Sequence, residues 1–246
     1  MLRTVFITGF LSWISLLHAQ DIITKTNSEE IQAKVTTVLP VQTVSLVNAK
    51  KGDIVTINGQ QAIVFQTYGD GHGKAMCVKA LRGKKNAWGS SKAINRFRTT
   101  DKENGRTNTE AVFRFVEENN LNINDFPAIS WCKQLGEGWY IPSIKELEAF
   151  VNWWLGNDME LDWDDESDDD TQSPTVSETP FSKQINKQLL EAGGIPFING
   201  AFTSTENAKG KLSVFWYNER KGYWQFSTVS KTSVGTMYLG RAFFAY

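Results

Sequence analysis

The chain is poor in the residues that most active-site chemistry needs. It holds two cysteines and two histidines in 246 residues. His18 lies in an N-terminal stretch read below as removed, so His72 alone would have to serve any Ser-His-Asp or Cys-His catalysis. Its setting, "DGHG", is that of a turn. A His/Cys metal site lacks ligands at useful spacing. Cys77 and Cys132 can form one disulfide at most. Both sit in apolar runs, "AMCVKAL" and "ISWCKQL", where a free thiol behaves as a small hydrophobe. Two buried free thiols are therefore expected, with a bridge as the alternative. After residue 20 no apolar run is long enough to cross a bilayer, so no transmembrane segment is expected. Excess charge is lacking too. A formal net charge of −1, one unit more negative without Arg3, gives no general bias toward nucleic acid, and no such partner is expected.

What is present begins with residues 1–20, "MLRTVFITGFLSWISLLHAQ". One early positive charge, an apolar run from Val5 to Leu17 and a small or polar end make the layout of a secretory signal, with cleavage near Ala19 or Gln20. That implies export to the periplasm, the cell surface or the medium. The remainder is long enough for one good core, and aromatics, at 12% of the chain, will dominate it. Residues 21–48 read as a small β segment, because Val35, Thr37 and Leu39 alternate with Thr36 and Val38. "NAKKGD" reads as a linker and places the main domain at 49–246.

Within that domain, "DIVTINGQQAIVFQTY" predicts a hairpin turning at Asn58-Gly59, and "KAMCVKAL" a third strand. Residues 82–106 predict loops, with "AWGS" dipping into the structure. Four helices follow. Thr107 with Glu110 predicts a capping box for the first, whose apolar face carries Val112, Phe115 and Val116. Pro127 opens the second and Gly136 closes it with a left-handed residue. Pro142 keeps Ile141 extended, and Ser143 with Glu146 caps the third, with Ile144, Leu147, Val151 and Trp154 as its stripe. Thr179 and Pro180 open the fourth. The aromatic C-terminal region predicts a hairpin plus a last strand.

Three pieces then stand in a telling order: "WCKQLGEGW", "YIPSIKELEAF" and "AFTSTEN". The run Gly138, Trp139, Tyr140, Ile141, Pro142, Ser143, Ile144, Lys145, Glu146, Leu147 resembles the Gly-Trp-x-Leu-Pro-[Ser/Thr]-x-x-Glu-Leu hallmark of the Lcl C-terminal domain family, also called the Fibrobacter-type major paralogous domain. Phe202, Thr203, Ser204, Thr205 and Glu206 resemble its later Trp-Ser-Ser-Thr-Glu run. "KGDIVTINGQQAIVF" is similar to the start of exported Bacteroidetes-type members, so the resemblance covers about residues 50–246. It implies an α+β fold of C-type lectin-like kind: twisted antiparallel sheets flanked by two or three helices, with a short β segment in front. The chain departs from true C-type lectins in lacking the Glu-Pro-Asn calcium and sugar motif. It departs from the formylglycine-generating enzymes, which share a similar helix–Leu-Pro-Thr–helix arrangement, in lacking their C-terminal cysteine pair. "WYNE", Trp216 to Glu219, reads as turn chemistry.

Two charge runs remain. Residues 157–179 hold ten carboxylates and no Lys or Arg and read as a solvated loop. Calcium is the one cofactor this stretch would support, with Asp162, Asp164 and Asp168 as candidate ligands, although Ser167 and Ser173 stand where an EF-hand has its glycine and its last glutamate. No cofactor is otherwise expected. Residues 74–106 hold ten positive charges against Asp101 and Glu103. Arg82, Lys84 and Lys85 cluster around Gly83, Arg96 and Arg98 alternate as on a strand, and Trp88 stands between them as a stacking surface. The plain reading is a solvated face or one neutralised by the acidic stretch; the functional reading is a patch for an anionic glycan or another polyanion. Trp153 and Trp163 are further candidates for exposed rings. The expectation is an exported, non-enzymatic binding or adhesin-type protein whose partner is an anionic glycan or a surface protein. The alternatives are a glycan-active enzyme using two carboxylates alone and a structural subunit of a surface assembly.

Overall fold

Asn58 and Gly59 take φ angles of 51° and 74° and turn β1 (Ile54–Ile57) into β2 (Gln60–Thr67), with Ile57 opposite Gln60. Only residues tolerant of positive φ fit this tight turn. In the computed structural model the chain divides into two units, Met1–Val41 and Gln42–Tyr246; the residues described are 45–91, 93–156, 177–198, 200–220, 223–235 and 238–246. The signal at 1–20, nearly all of the β segment at 21–48, and the acidic stretch up to residue 176, with Asp162, Asp164 and Asp168, lie outside the described residues. The remainder of the second unit is an α+β fold with four α-helices and two four-stranded sheets. None of these helices is long and apolar enough to cross a membrane.

The first sheet runs β1-β2-β3-β8 and is antiparallel throughout, with β3 at Gly73–Cys77 and β8 at Phe243–Ala245. The second runs β6-β5-β4-β7. Here β4 (Ala201–Glu206), β5 (Leu212–Asn218) and β6 (Tyr223–Val229) form a meander, and the short β7 (Leu239–Gly240) joins β4 in parallel. Alternation along the strands separates two apolar cores. On β2, Ala62 and Val64 face one core and Ile63 and Phe65 the other, so all four are buried.

Helices α1 (Gly105–Glu118) and α2 (Pro127–Leu135) cover the first core with Val112, Val116, Ala128, Ile129, Cys132 and Leu135. Helices α3 (Ile144–Leu155) and α4 (Pro180–Glu191) cover the second with Leu147, Phe150, Val151, Trp154, Ile185 and Leu189. Phe150 is the hub of the second core, with ring centroids 5.0 Å from Phe197, 5.5 Å from Phe65 and 5.9 Å from Phe243. A residue so placed contributes through burial and ring geometry together.

The caps of α3 and α4 form where the sequence predicts them. Ser143 and Glu146 close a full capping box, and Thr179 does the same with Ser182. The start of α1 differs. Asn104, not Thr107, is the cap, and its side chain accepts from the Thr107 N–H. The helix begins earlier because Gly105 passes under the connector: a Cβ there would lie 2.3 Å from the Ile141 oxygen and 2.5 Å from the Ser143 nitrogen. Gly136 ends α2 with positive φ (118°), but its ψ of 175° sends the chain out extended rather than into a left-handed turn.

Candidate functional site

The connector "GWYIPS" is held from every side. Tyr140 pairs with Phe243 through both backbone groups, at 3.1 and 2.8 Å. Its hydroxyl donates to Glu146 Oε1 at 2.7 Å, and Lys74 Nζ from β3 reaches the same oxygen at 2.8 Å. Glu146 Oε2 accepts from the Ser143 N–H at 3.0 Å and the Gly105 N–H at 2.9 Å. One carboxylate, 4% exposed, thus collects four donors from α1, β3, the connector and its own cap. Burial and the neighbouring Glu146 charge push the Tyr140 hydroxyl well above the usual tyrosine range.

The second motif grips the first. Ser204 donates to the Pro142 oxygen with both its N–H (2.7 Å) and its hydroxyl (3.1 Å), and the Ile144 N–H donates to Thr205 Oγ1 at 3.0 Å. Glu206, at the end of β4, accepts from the Thr99 hydroxyl at 3.0 Å. Its other oxygen meets Lys231 Nζ at 2.8 Å and Arg98 Nε at 3.1 Å. Lys231 is itself buried; its ammonium also donates to the Ile94 oxygen and lies 5.2 Å from the Phe97 ring centre. Both signature carboxylates therefore have their oxygens occupied by internal donors. They serve as clamps between segments far apart in sequence, and a two-acid hydrolase has no free carboxylate to draw from them.

The basic run sorts into engaged and free charges. Arg96 donates to Asn119 Oδ1 at 2.8 Å and lies over Phe115, and Arg98 binds Glu206 and the Asn207 oxygen. Neither lies on a strand, since the described residues of 82–104 carry no helix or strand, so the expected alternation does not occur. Arg106 donates to the Ala245 oxygen, and Lys79 to Gln60. Trp88 is a correction. It is 0% exposed, 6.5 Å from Phe202 in an edge-on contact, and its indole cannot stack on a ligand because the first core encloses it. Trp153 is half-buried against Phe150 and Phe181, and Trp163 lies outside the described residues.

Lys102 is engaged too, Lys92 lies outside the described residues, and Arg82, Lys84 and Lys85 remain. All three are exposed and make no hydrogen bond or ion pair among the described residues. The stretch 82–100 contains no Asp or Glu. Its base is fixed: Leu81 and Gly240 exchange two backbone hydrogen bonds (2.9 and 3.0 Å), the Ala128 N–H donates to the Ala87 oxygen at 2.8 Å, and Trp88 anchors the far side. Gly235 packs so tightly beneath it that a Cβ would fall 2.3 Å from the Lys84 oxygen.

Arg241, beside the Leu81–Gly240 bridge, escaped sequence reasoning. It is fully buried, donates to the Pro196 oxygen at 2.6 Å and lies over Phe197. Burial pushes its guanidinium down to about 9, and the charge of Arg82 adds to that effect. Its trace in the sequence is a cation beside an aromatic run, "GRAFFAY". Cys77 and Cys132 are buried and unbridged, and burial raises both thiols. His72 sits in its turn, with Nδ1 3.1 Å from the Tyr246 oxygen. Among the described residues no three His, Cys, Asp or Glu side chains converge as a metal site. Comparison with family models, curated proteins and solved structures returns no match.

Proposed function

We propose that the protein is an exported, non-enzymatic binding protein of the Lcl C-terminal type, with a C-type lectin-like fold, and that it recognises an anionic glycan through Arg82, Lys84 and Lys85. The observation that carries this reading is the sorting of the basic run. Lys74, Lys79, Arg96, Arg98 and Arg106 each have a partner inside the fold, whereas among the described residues the three cations of the loop have none, and they are exposed. Exposed cations on a well-anchored loop keep a fixed positive potential, and the buried Arg241, whose charge is felt by Arg82, adds to it. Sulfate and carboxylate groups spaced along a glycan match such a cluster, because arginine and lysine bind both as charge-assisted donors. The clamped states of Glu146 and Glu206 support a binding role over a two-acid hydrolase. Heparin-affinity chromatography tests the proposal. The mature protein is retained at low salt and eluted by added salt, since exposed charges are screened within about 8 Å at physiological ionic strength. A mature protein that flows through at low salt rules out the polyanion reading.

A further inference from the structure

A groove of about 440 Å³ opens between the first half of α1, the end of α2 and the connector that follows. None of Arg82, Lys84 and Lys85 lines it. Helix α1 contributes Arg106 and Glu110, α2 contributes Lys133, and the connector contributes Glu137 and Trp139. Two cations and two carboxylates thus share one small concavity. Among the described residues none of the four is ion-paired, although Arg106 and Glu110 are spaced to pair along a helix; Arg106 instead donates to the Ala245 oxygen and lies over the Tyr140 ring, which holds it at the groove. Trp139 is 3% exposed, fixed by its ring contact with Phe244 at 5.3 Å, and its buried indole N–H has no acceptor. The buried indole N–H groups of Trp88, Trp154 and Trp216 likewise have no acceptor among the described residues, so Trp139 counts here as a fixed wall of the groove.

We infer that this groove binds a small zwitterion bearing an ammonium and a carboxylate, of the free amino-acid or dipeptide class. A lone anion entering the groove would be attracted by Arg106 and Lys133 and repelled by Glu110 and Glu137. A neutral sugar would cover all four charges without pairing any of them, which desolvation penalises. A zwitterion pairs with both signs at once, and the wall formed by Trp139 gives its apolar part a surface to pack on. The volume lies within the range of small-molecule sites. The inference rests on the groove alone and is independent of the basic loop.

The test is a titration of the mature, isotope-labelled protein with the dipeptide Ala-Phe, followed at the indole N–H resonance of Trp139. The shift is expected to saturate at millimolar dipeptide. N-acetylation or C-amidation of the dipeptide should weaken binding at least tenfold, as should Glu110→Gln or Lys133→Gln, both exposed positions whose substitution leaves the fold intact. The inference is overturned if the resonance does not move, if the blocked dipeptides bind equally well, or if only a neutral sugar or inorganic sulfate moves it.

Discussion

Ser204 holds Pro142 with two hydrogen bonds to one carbonyl, from its N–H at 2.7 Å and its hydroxyl at 3.1 Å. These residues belong to the two sequence motifs that stand 62 positions apart along the chain. The contact explains why both motifs occur together: one is the socket of the other. Asn108 of α1 donates to the same Ser204 hydroxyl at 3.1 Å, so the first helix joins the clamp as well.

Replacing Glu146 should be costly. Glu146→Ala removes the acceptor of four donors and leaves the Lys74 ammonium, with its side chain only 20% exposed, without its partner. A loss of about 3–5 kcal/mol is expected, as for breaking one side of a buried pair. Urea unfolding of wild type and variant measures it, and a loss below about 1 kcal/mol would show that the carboxylate is not a keystone.

The two cysteines give a pH prediction. Burial raises both thiols above their ordinary value of 9.0, so the native state keeps its protons when the unfolded chain has begun to lose them. The native state then binds more protons, and stability falls as pH rises past about 9. Tyr140 acts in the same direction above its ordinary value of 10.0. Arg241, lowered to about 9, opposes this over the same range, so the thiol contribution is read as the difference between wild type and Cys77→Ala/Cys132→Ala, with melting temperature declining more steeply on the alkaline side in wild type. Titration with a thiol reagent, without reductant, should find two thiols after denaturation and none before it. Finding none after denaturation would show a bridge.

Trp88 should matter for stability and not for binding. Trp88→Ala empties a fully buried site and is expected to cost about 3–5 kcal/mol. Trp88→Phe, which keeps much of the volume, should remain folded and retain wild-type heparin elution. A folded Trp88→Phe protein that loses heparin retention would return the indole to the site.

The elements readable from sequence were those whose causes are local. Asn58-Gly59 turns the chain by its own backbone preferences, and Ser143–Glu146 and Thr179–Pro180 start helices within a few residues of themselves. The start of α1 was not readable, because it depends on Gly105 fitting beneath Ile141 and Ser143, more than 35 positions away. The site was half legible for the same reason. Ten cations look alike in a sequence, and only the fold shows that Lys74 meets a glutamate 72 positions on while Lys84 has no partner among the described residues. The dip of "AWGS" into the structure was legible and occurs, with Ala87, Trp88 and Gly89 buried, but only the fold shows that this takes Trp88 away from the stacking role by filling the first core.

Calorimetric titration with a heparin oligosaccharide, at two salt concentrations, bears most directly on the binding loop. Wild type should bind, with affinity falling at the higher salt. The Arg82→Ala/Lys84→Ala/Lys85→Ala variant should lose at least tenfold in affinity while its melting temperature stays within a few degrees, as expected of exposed residues. A variant that stays folded and binds as tightly as wild type would contradict the assignment of the ligand to this loop.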